Sequence, residues 1–192
     1  SLGLKEVGVQ TKQLAKEQEA AMAAFAKSTG AGRQYNNEIA TLERSTFAAG
    51  VTTKEASQAY GALYDKFSAF TQLSSSERAM LSETTALMSE LGVSAGTSAQ
   101  IMDQMTRSLG MSASQTNKVM LKLAGNAESL GVTMNKMTSD FAGAYPELAK
   151  FGDQAIDVFG ELAKQSKATG IEVNKLISLT SQFDEFESGA MA

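Results

Sequence analysis

Glycine-containing helix stops recur along this chain at intervals of about 20 residues, and they limit the length of the helices that it can form. The motif Leu-Gly-apolar-hydroxyl occurs at residues 91–94, 109–112 and 130–133, and further glycines with similar spacing are Gly50, Gly152 and Gly170. Glycine ends helices readily because, without a Cβ atom, it adopts the left-handed conformation found at many helix C-termini. Such a chain should fold back on itself repeatedly instead of forming one continuous helix.

Helix start signals lie close to these stops. A Ser or Thr side chain at the N-cap position accepts a hydrogen bond from one of the free backbone N–H groups of the first turn. When Glu or Gln follows three residues later, the two side chains can form a capping box. This spacing occurs in the pairs Thr52 and Glu55, Ser74 and Glu77, and Ser112 and Gln115.

Between the stops, apolar residues recur at the three- and four-residue spacing of amphipathic helices. One such stripe contains Ala56, Tyr60, Leu63 and Phe67, and no segment shows the alternation that is typical of a strand. We therefore predict an all-α fold. Residues 50–192 should form a compact multi-helix bundle, in which short helices of about 15 residues form consecutive helical hairpins.

Residues 1–49 have a different pattern, which predicts a longer N-terminal helical arm. Leu4, Val7, Leu14 and Phe25 occupy heptad positions, although polar residues interrupt the series. This spacing is compatible with a weak coiled coil and equally with an ordinary amphipathic helix. The segment "STGAGR" at 28–33 should form a flexible break in the arm.

The absence of His and Cys from all 192 residues removes most catalytic chemistry. Catalytic triads and dyads that use His or Cys, and the usual zinc sites, are excluded. Asp184, Glu185 and Glu187 form the densest acidic group, but at a helix end such a group is more typical of a solvated face than of a catalytic carboxylate pair. We predict that the chain is not an enzyme and has no catalytic, cofactor-binding or metal-binding residues.

Composition also argues against two classes of partner. The formal net charge is −4 and the basic residues are scattered, which disfavours binding to nucleic acid. No stretch of about 18 apolar residues is present, so we expect no membrane-spanning segment in this part of the chain. Because the sequence opens at Ser1 and not at Met, we expect it to be part of a longer protein.

The segment "LAKFGDQAIDVFGELAKQSKATGIEVNKLISLTSQFDEFESGA" at 148–190 resembles a segment of bacteriophage tail tape measure proteins. Residues 50–147, with their Leu-Gly-Val-Ser stops and their helices rich in Ala, Ser and Met, resemble these proteins more loosely. The residues in step with the family pattern are Phe151-Gly152, Val158-Phe159, Ala168-Thr169-Gly170, Phe183-Asp184 and Phe186-Glu187.

This resemblance implies a structural virion protein in the lumen or baseplate region of a phage tail, with roles in tail assembly, tail length determination and genome ejection. It also implies contacts with tube, baseplate or hub proteins and with other copies of the chain. A continuous helix of this length would extend about 290 Å at ~1.5 Å per residue. Helices that stop every 20 residues or so fold back instead, so we expect a folded docking or terminal module and not the extended ruler itself.

Protein contacts should lie at the two ends of the chain. In the N-terminal arm the candidates are Leu4, Val7, Leu14 and Phe25, and near the C-terminus Phe183 and Phe186 are three residues apart beside acidic residues. These two rings could equally cap the core of the bundle. The alternative function is that of an α-solenoid-like scaffold or adaptor module that binds a protein partner, because two helices per 39–42 residues suit a repeat array.

Overall fold

The computed structural model describes the backbone of residues 2–179 and the side chains of residues 9–179. Within this range the chain contains no strand, which confirms the predicted all-α class. Short 3-10 segments lie at Phe47–Ala49, Phe70–Gln72 and Ala149–Gln154, and a further helical segment covers 173–179. The α-helices are α1 (Leu2–Thr29), α2 (Asn36–Thr46), α3 (Thr53–Lys66), α4 (Ser75–Glu90), α5 (Ala95–Leu109), α6 (Ala113–Leu130), α7 (Met134–Leu148) and α8 (Ala155–Thr169).

The predicted helix starts are confirmed. Thr52, Ser74 and Ser112 are the N-cap residues of α3, α4 and α6, and each forms a complete capping box with the Glu or Gln three positions later. Ser94 and Thr133 accept single N-cap hydrogen bonds at the starts of α5 and α7. Each cap satisfies backbone N–H groups that have no partner inside the helix.

The predicted stops are confirmed as well. Gly131 and Gly170 have φ angles of 59° and 73°, and their N–H groups donate to carbonyl oxygens in the last turns of α6 and α8. All six glycines of the series have positive φ, a conformation that a side chain with a Cβ atom rarely adopts. At most of the junctions, therefore, a left-handed glycine ends one helix and a Ser or Thr side chain caps the start of the next.

The chain folds as two compact units, with the boundary between Asp103 and Gln104 inside α5. The predicted division lay between residues 49 and 50. In the structure, residues 1–49 belong to the same unit as the helices that follow, because these helices pack on α1 and α2. In the first unit α1 packs mainly against α3, and α2 packs against α3 and α4. The N-terminal residues thus share one core with the helices that follow them.

A group of aromatic side chains packs together in the core of the first unit. Tyr60 and Phe70 are fully buried and meet edge to face, with ring centroids 5.1 Å apart. Tyr35 contacts both rings from the connection between α1 and α2. Such edge-to-face pairs add about 0.5–1.5 kcal/mol each beyond the burial of their area.

In the second unit, α6, α7 and α8 pack against one another. Phe141 of α7 and Phe159 of α8 meet edge to face at 5.1 Å, and Leu123 of α6 is fully buried. The pairs α3–α4 in the first unit and α6–α7 here are consecutive hairpins, as expected, but alternate helices also pack on each other. Buried methionines fill both cores, including Met88, Met102, Met105, Met120 and Met137.

Leu123→Ala should lower the free energy of unfolding by about 2–5 kcal/mol, because it leaves a cavity in a fully buried site. Leu121 lies on the same helix and is 48% exposed, so Leu121→Ala is a matched control that should change stability by less than about 0.5 kcal/mol. Chemical denaturation followed by circular dichroism measures both values. Equal effects of the two substitutions would contradict the helix orientation described here.

Candidate functional site

The first helix has two parts with different environments. From Gln18 onward it packs against the first unit, and Phe25 is only 2% exposed. Residues 9–17 are all exposed, with Val9 at 66% and Leu14 at 46%. We call residues 2–17 the arm of α1. The arm extends about 24 Å at ~1.5 Å per residue.

The packed part of α1 inserts Phe25 into an aromatic pocket. The Phe25 ring lies edge to face with Tyr35, Tyr60 and Tyr64, at centroid distances of 6.1, 5.7 and 6.0 Å. A Cβ atom added at Gly61 of α3 would lie 3.6 Å from the Phe25 ring, at van der Waals distance, so the ring packs directly over this part of α3. Phe25 is therefore the main apolar anchor of α1.

Two polar contacts fix α1 on the N-terminal side of this anchor. Glu43 of α2 is 5% exposed, and its carboxylate accepts hydrogen bonds from the Gln18 amide at 2.8 Å and from the Thr53 hydroxyl at 2.6 Å. The Ser57 hydroxyl of α3 donates to the carbonyl oxygen of Ala21 at 2.9 Å. We call Tyr35, Glu43, Ser57, Tyr60 and Tyr64 the α1 seat.

A second, partly buried carboxylate lies next to the seat. Glu38 of α2 accepts hydrogen bonds from Arg78 of α4 at 2.7 and 2.9 Å and from the Tyr60 hydroxyl of α3. The guanidinium group also lies 5.4 Å from the centre of the Tyr35 ring. Because both charged side chains are mostly buried, this ion pair is screened less than a surface pair. It joins three helices beneath the aromatic pocket.

The hydrogen-bond pattern explains the pKa shifts in this network. Hydrogen bonds from Arg78 lower the pKa of Glu38, despite an opposing effect of burial. Burial, with the neighbouring Glu38 carboxylate, raises the pKa of the Tyr60 hydroxyl far above its ordinary range. Glu38 is therefore ionised and Tyr60 neutral at pH 7. This network, called the brace below, therefore has a structural role, which is to hold α2, α3 and α4 together.

The structure places the predicted contact residues in different environments. Leu14 lies on the exposed arm, as a contact residue would. Phe25 is buried in the aromatic pocket, so in a single chain it is a core residue and not an exposed one. Leu4 and Val7 lie in α1, but their side chains are outside the described residues. Phe183 and Phe186 also lie outside them, as do the acidic residues 184, 185 and 187.

Other surface features of the described residues are shallow. A groove of about 880 Å³ in the first unit lies between α1, α3 and the turn before α5, and small side chains line much of it, including Ala24, Gly61 and Ala62. Among the described side chains, no three carboxylates are close enough together to hold a metal ion. None of the described helices has the length and hydropathy needed to cross a bilayer.

Sequence reasoning missed the Glu38–Arg78 pair and the buried Glu43. Acidic and basic residues on amphipathic helices are usually solvent-exposed, and the partners here are 40 and 25 residues apart in the chain. One signal was present: Arg78 follows directly after the capping box at 74–77, in the first turns of α4. That position alone does not identify its partner.

Glu38→Gln should lower the free energy of unfolding by about 1–3 kcal/mol, because Arg78 and Tyr60 lose a charged hydrogen-bond acceptor. The matched control is Glu83→Gln, which removes the same charge from an exposed position on α4 and should change little. Urea denaturation of both variants at pH 7 measures the difference. A Glu38→Gln variant as stable as the control would show that the ion pair does not brace the unit.

The same carboxylate should make stability depend on pH. The folded-state pKa of Glu38 lies below its ordinary value of 4.5, so the stabilisation is complete above pH 4.5 and is lost as pH falls through the folded-state pKa. Between pH 7 and pH 3, Glu38→Gln should therefore lose less stability than the wild-type chain. Equal losses in the two proteins would contradict this assignment.

The chain was also compared with known proteins. No family model matches it, and the searches of curated proteins and of solved structures found no significant match. The function of the chain is therefore inferred from its own features: the pattern at 148–190, the glycines that end its helices and the exposed arm of α1.

Proposed function

We propose that this chain is a folded helical segment of a phage tail tape measure protein, and thus a structural component of the virion. The observation that carries the proposal is the pattern at 148–190 together with the geometry of its glycines. Gly152 and Gly170 have φ angles of 53° and 73° and flank α8, so the two glycines of the pattern lie at the two ends of one helix. In this chain, the spacing of these two glycines sets the boundaries of α8.

The proposed role is that of a docking module in the tail lumen or baseplate region. The helices α1 to α8 are 11 to 28 residues long and belong to two compact units, which supports a folded module and not an extended ruler. The module would contact tube, baseplate or hub proteins while the rest of the parent protein sets the tail length. Its contribution would be to tail assembly and to genome ejection.

The arm of α1 is the proposed contact surface for these proteins and for other copies of the chain. Residues 9–17 make no buried contact, and an isolated helix of this length is marginal in water. A partner that covers Leu14 and the preceding heptad positions would stabilise the arm. The chain is therefore expected to self-associate through the arm inside the tail.

The second candidate function is a helical scaffold or adaptor that binds a protein partner. One observation favours it: in the first unit α1 packs on α3 and α2 packs on α4, as alternate helices do in stacked helical hairpins. In this case the parent protein would contain more hairpins of the same kind and would not be a virion component.

An internal deletion separates the docking role from a measuring role. Removing residues 113–170 from the phage that encodes this chain deletes about 58 residues, which would span about 87 Å as a continuous helix. Electron microscopy should show tails of normal length, or a loss of tails if docking fails. Tails shortened by about 87 Å would contradict a folded docking module.

The virion assignment has its own test. Mass spectrometry of purified particles should find peptides from this chain, whereas their absence from intact tailed particles would favour the adaptor function. This measurement does not depend on the result of the deletion.

Leu14→Glu should weaken self-association through the arm and leave the fold intact, because the side chain is already 46% exposed. Val9→Glu is the matched control, since Val9 is exposed on the same arm but lies about 140° away around the helix axis. Sedimentation velocity over a range of concentrations should show weaker self-association for Leu14→Glu alone. Equal loss in both variants, or in neither, would contradict a contact face centred on Leu14.

A further inference from the structure

The α1 seat is specific for the helix that occupies it. The seat offers an aromatic pocket for a ring, the Glu43 carboxylate for an amide donor and the Ser57 hydroxyl for a backbone carbonyl group. Phe25, Gln18 and Ala21 of α1 supply these three groups at positions 4 and 3 residues apart on one helix face. An occupant needs the same side chains at the same spacing, and α1 of a second copy has them.

The connection from α1 to α2 is poorly packed. Gly30 and Gly32 have positive φ angles of 68° and 64°, and a Cβ atom added at either position would meet no other atom within 4 Å. Residues 32–34 are exposed. Because α1 packs mainly on α3 and only slightly on α2, this connection can open without disrupting an extensive α1–α2 interface.

We propose that α1 is exchanged between two copies of the chain. In the resulting dimer, the part of α1 from Gln18 to Thr29 occupies the seat of the partner copy, while residues 30–34 extend between the two and Tyr35 stays in the seat of its own chain. In the closed monomer, α1 occupies the seat of its own chain. The contacts between α1 and the seat are the same in this form and in the exchanged dimer. The balance between them therefore depends on chain concentration and on strain in the connection.

This exchange goes beyond the proposed function and does not depend on it. It uses residues 18–29 and the seat, whereas self-association through the arm uses Leu14 and the preceding heptad positions. Leu14→Glu should therefore leave the exchange intact. The two modes of association can be measured separately in the same protein.

Because the chain has no Cys, single cysteines can report the exchange. One preparation carries Ala21→Cys and the other Ser57→Cys, at positions joined by the 2.9 Å hydrogen bond between α1 and α3. The two are unfolded together, refolded at high concentration and treated with a short thiol cross-linker. The exchange should yield a covalent dimer that joins residue 21 of one copy to residue 57 of the other.

Two controls make the result decisive. The double variant with both cysteines should cross-link within one chain at low concentration, which shows that the two positions are in reach. Ala21→Cys mixed with Arg44→Cys, an exposed position on α2, gives the background from random collisions. Cross-linking of the 21–57 mixture no greater than this background, with the double variant cross-linked, would overturn the exchange.

The length of the connection provides an independent test. Deleting Gly30 to Gly32 should prevent the closed form and shift the chain from monomer to dimer in sedimentation velocity. A Gly-Ser insertion after Gly32 should have the opposite effect and keep the chain monomeric. A shortened variant that is fully helical and still monomeric would also overturn the proposal.

Discussion

The fold depends on the free energy that is lost where each helix is interrupted, and on the contacts that compensate for this loss. Every helix end leaves backbone N–H or C=O groups without intrahelical partners. In this chain, left-handed glycines such as Gly131 end the helices, and hydroxyl caps such as Ser112 begin the next ones. The helices from α2 to α8 have 11 to 18 residues, and in proteins such helices depend mainly on packing for their stability. Each must bury one face against its neighbours, so the junctions determine that the chain folds into compact units.

The first unit shows how the buried faces are joined. Phe25, Tyr35, Tyr60 and Phe70 form one connected set of rings, and beneath them the Glu38 carboxylate links α2, α3 and α4. A buried ion pair is costly to desolvate and is retained only when its hydrogen bonds are complete. Here Arg78 also donates a hydrogen bond to the Leu73 carbonyl oxygen, and its guanidinium group lies over the Tyr35 ring. The brace therefore specifies which helices meet and orients the seat of α1.

The local part of this fold could be predicted from the sequence, and its long-range part could not. The N-caps at Thr52, Ser74 and Ser112 could be predicted because a capping box involves only four consecutive residues. The burial of Phe25 depends on α3, which lies 28 or more residues further along the chain. Apolar heptad positions look the same whether a helix of the same chain or another chain covers them. For this reason the heptad pattern predicted a separate arm over residues 1–49, whereas the structure places Phe25 in the core of a unit that extends to Asp103; the contact role of Leu14 stays a prediction.

The central claim is that α1 is divided at Gln18 into a free arm and a seated part. Hydrogen exchange measured by NMR on the dilute, monomeric chain tests it most directly, because protection reports the local free energy of opening. Amides from Ala21 to Thr29 should be protected to a similar degree as those of α3, and amides from Val9 to Glu17 should exchange much faster. Uniform protection along α1, or equally fast exchange at both ends, would contradict a helix with one seated half and one free half.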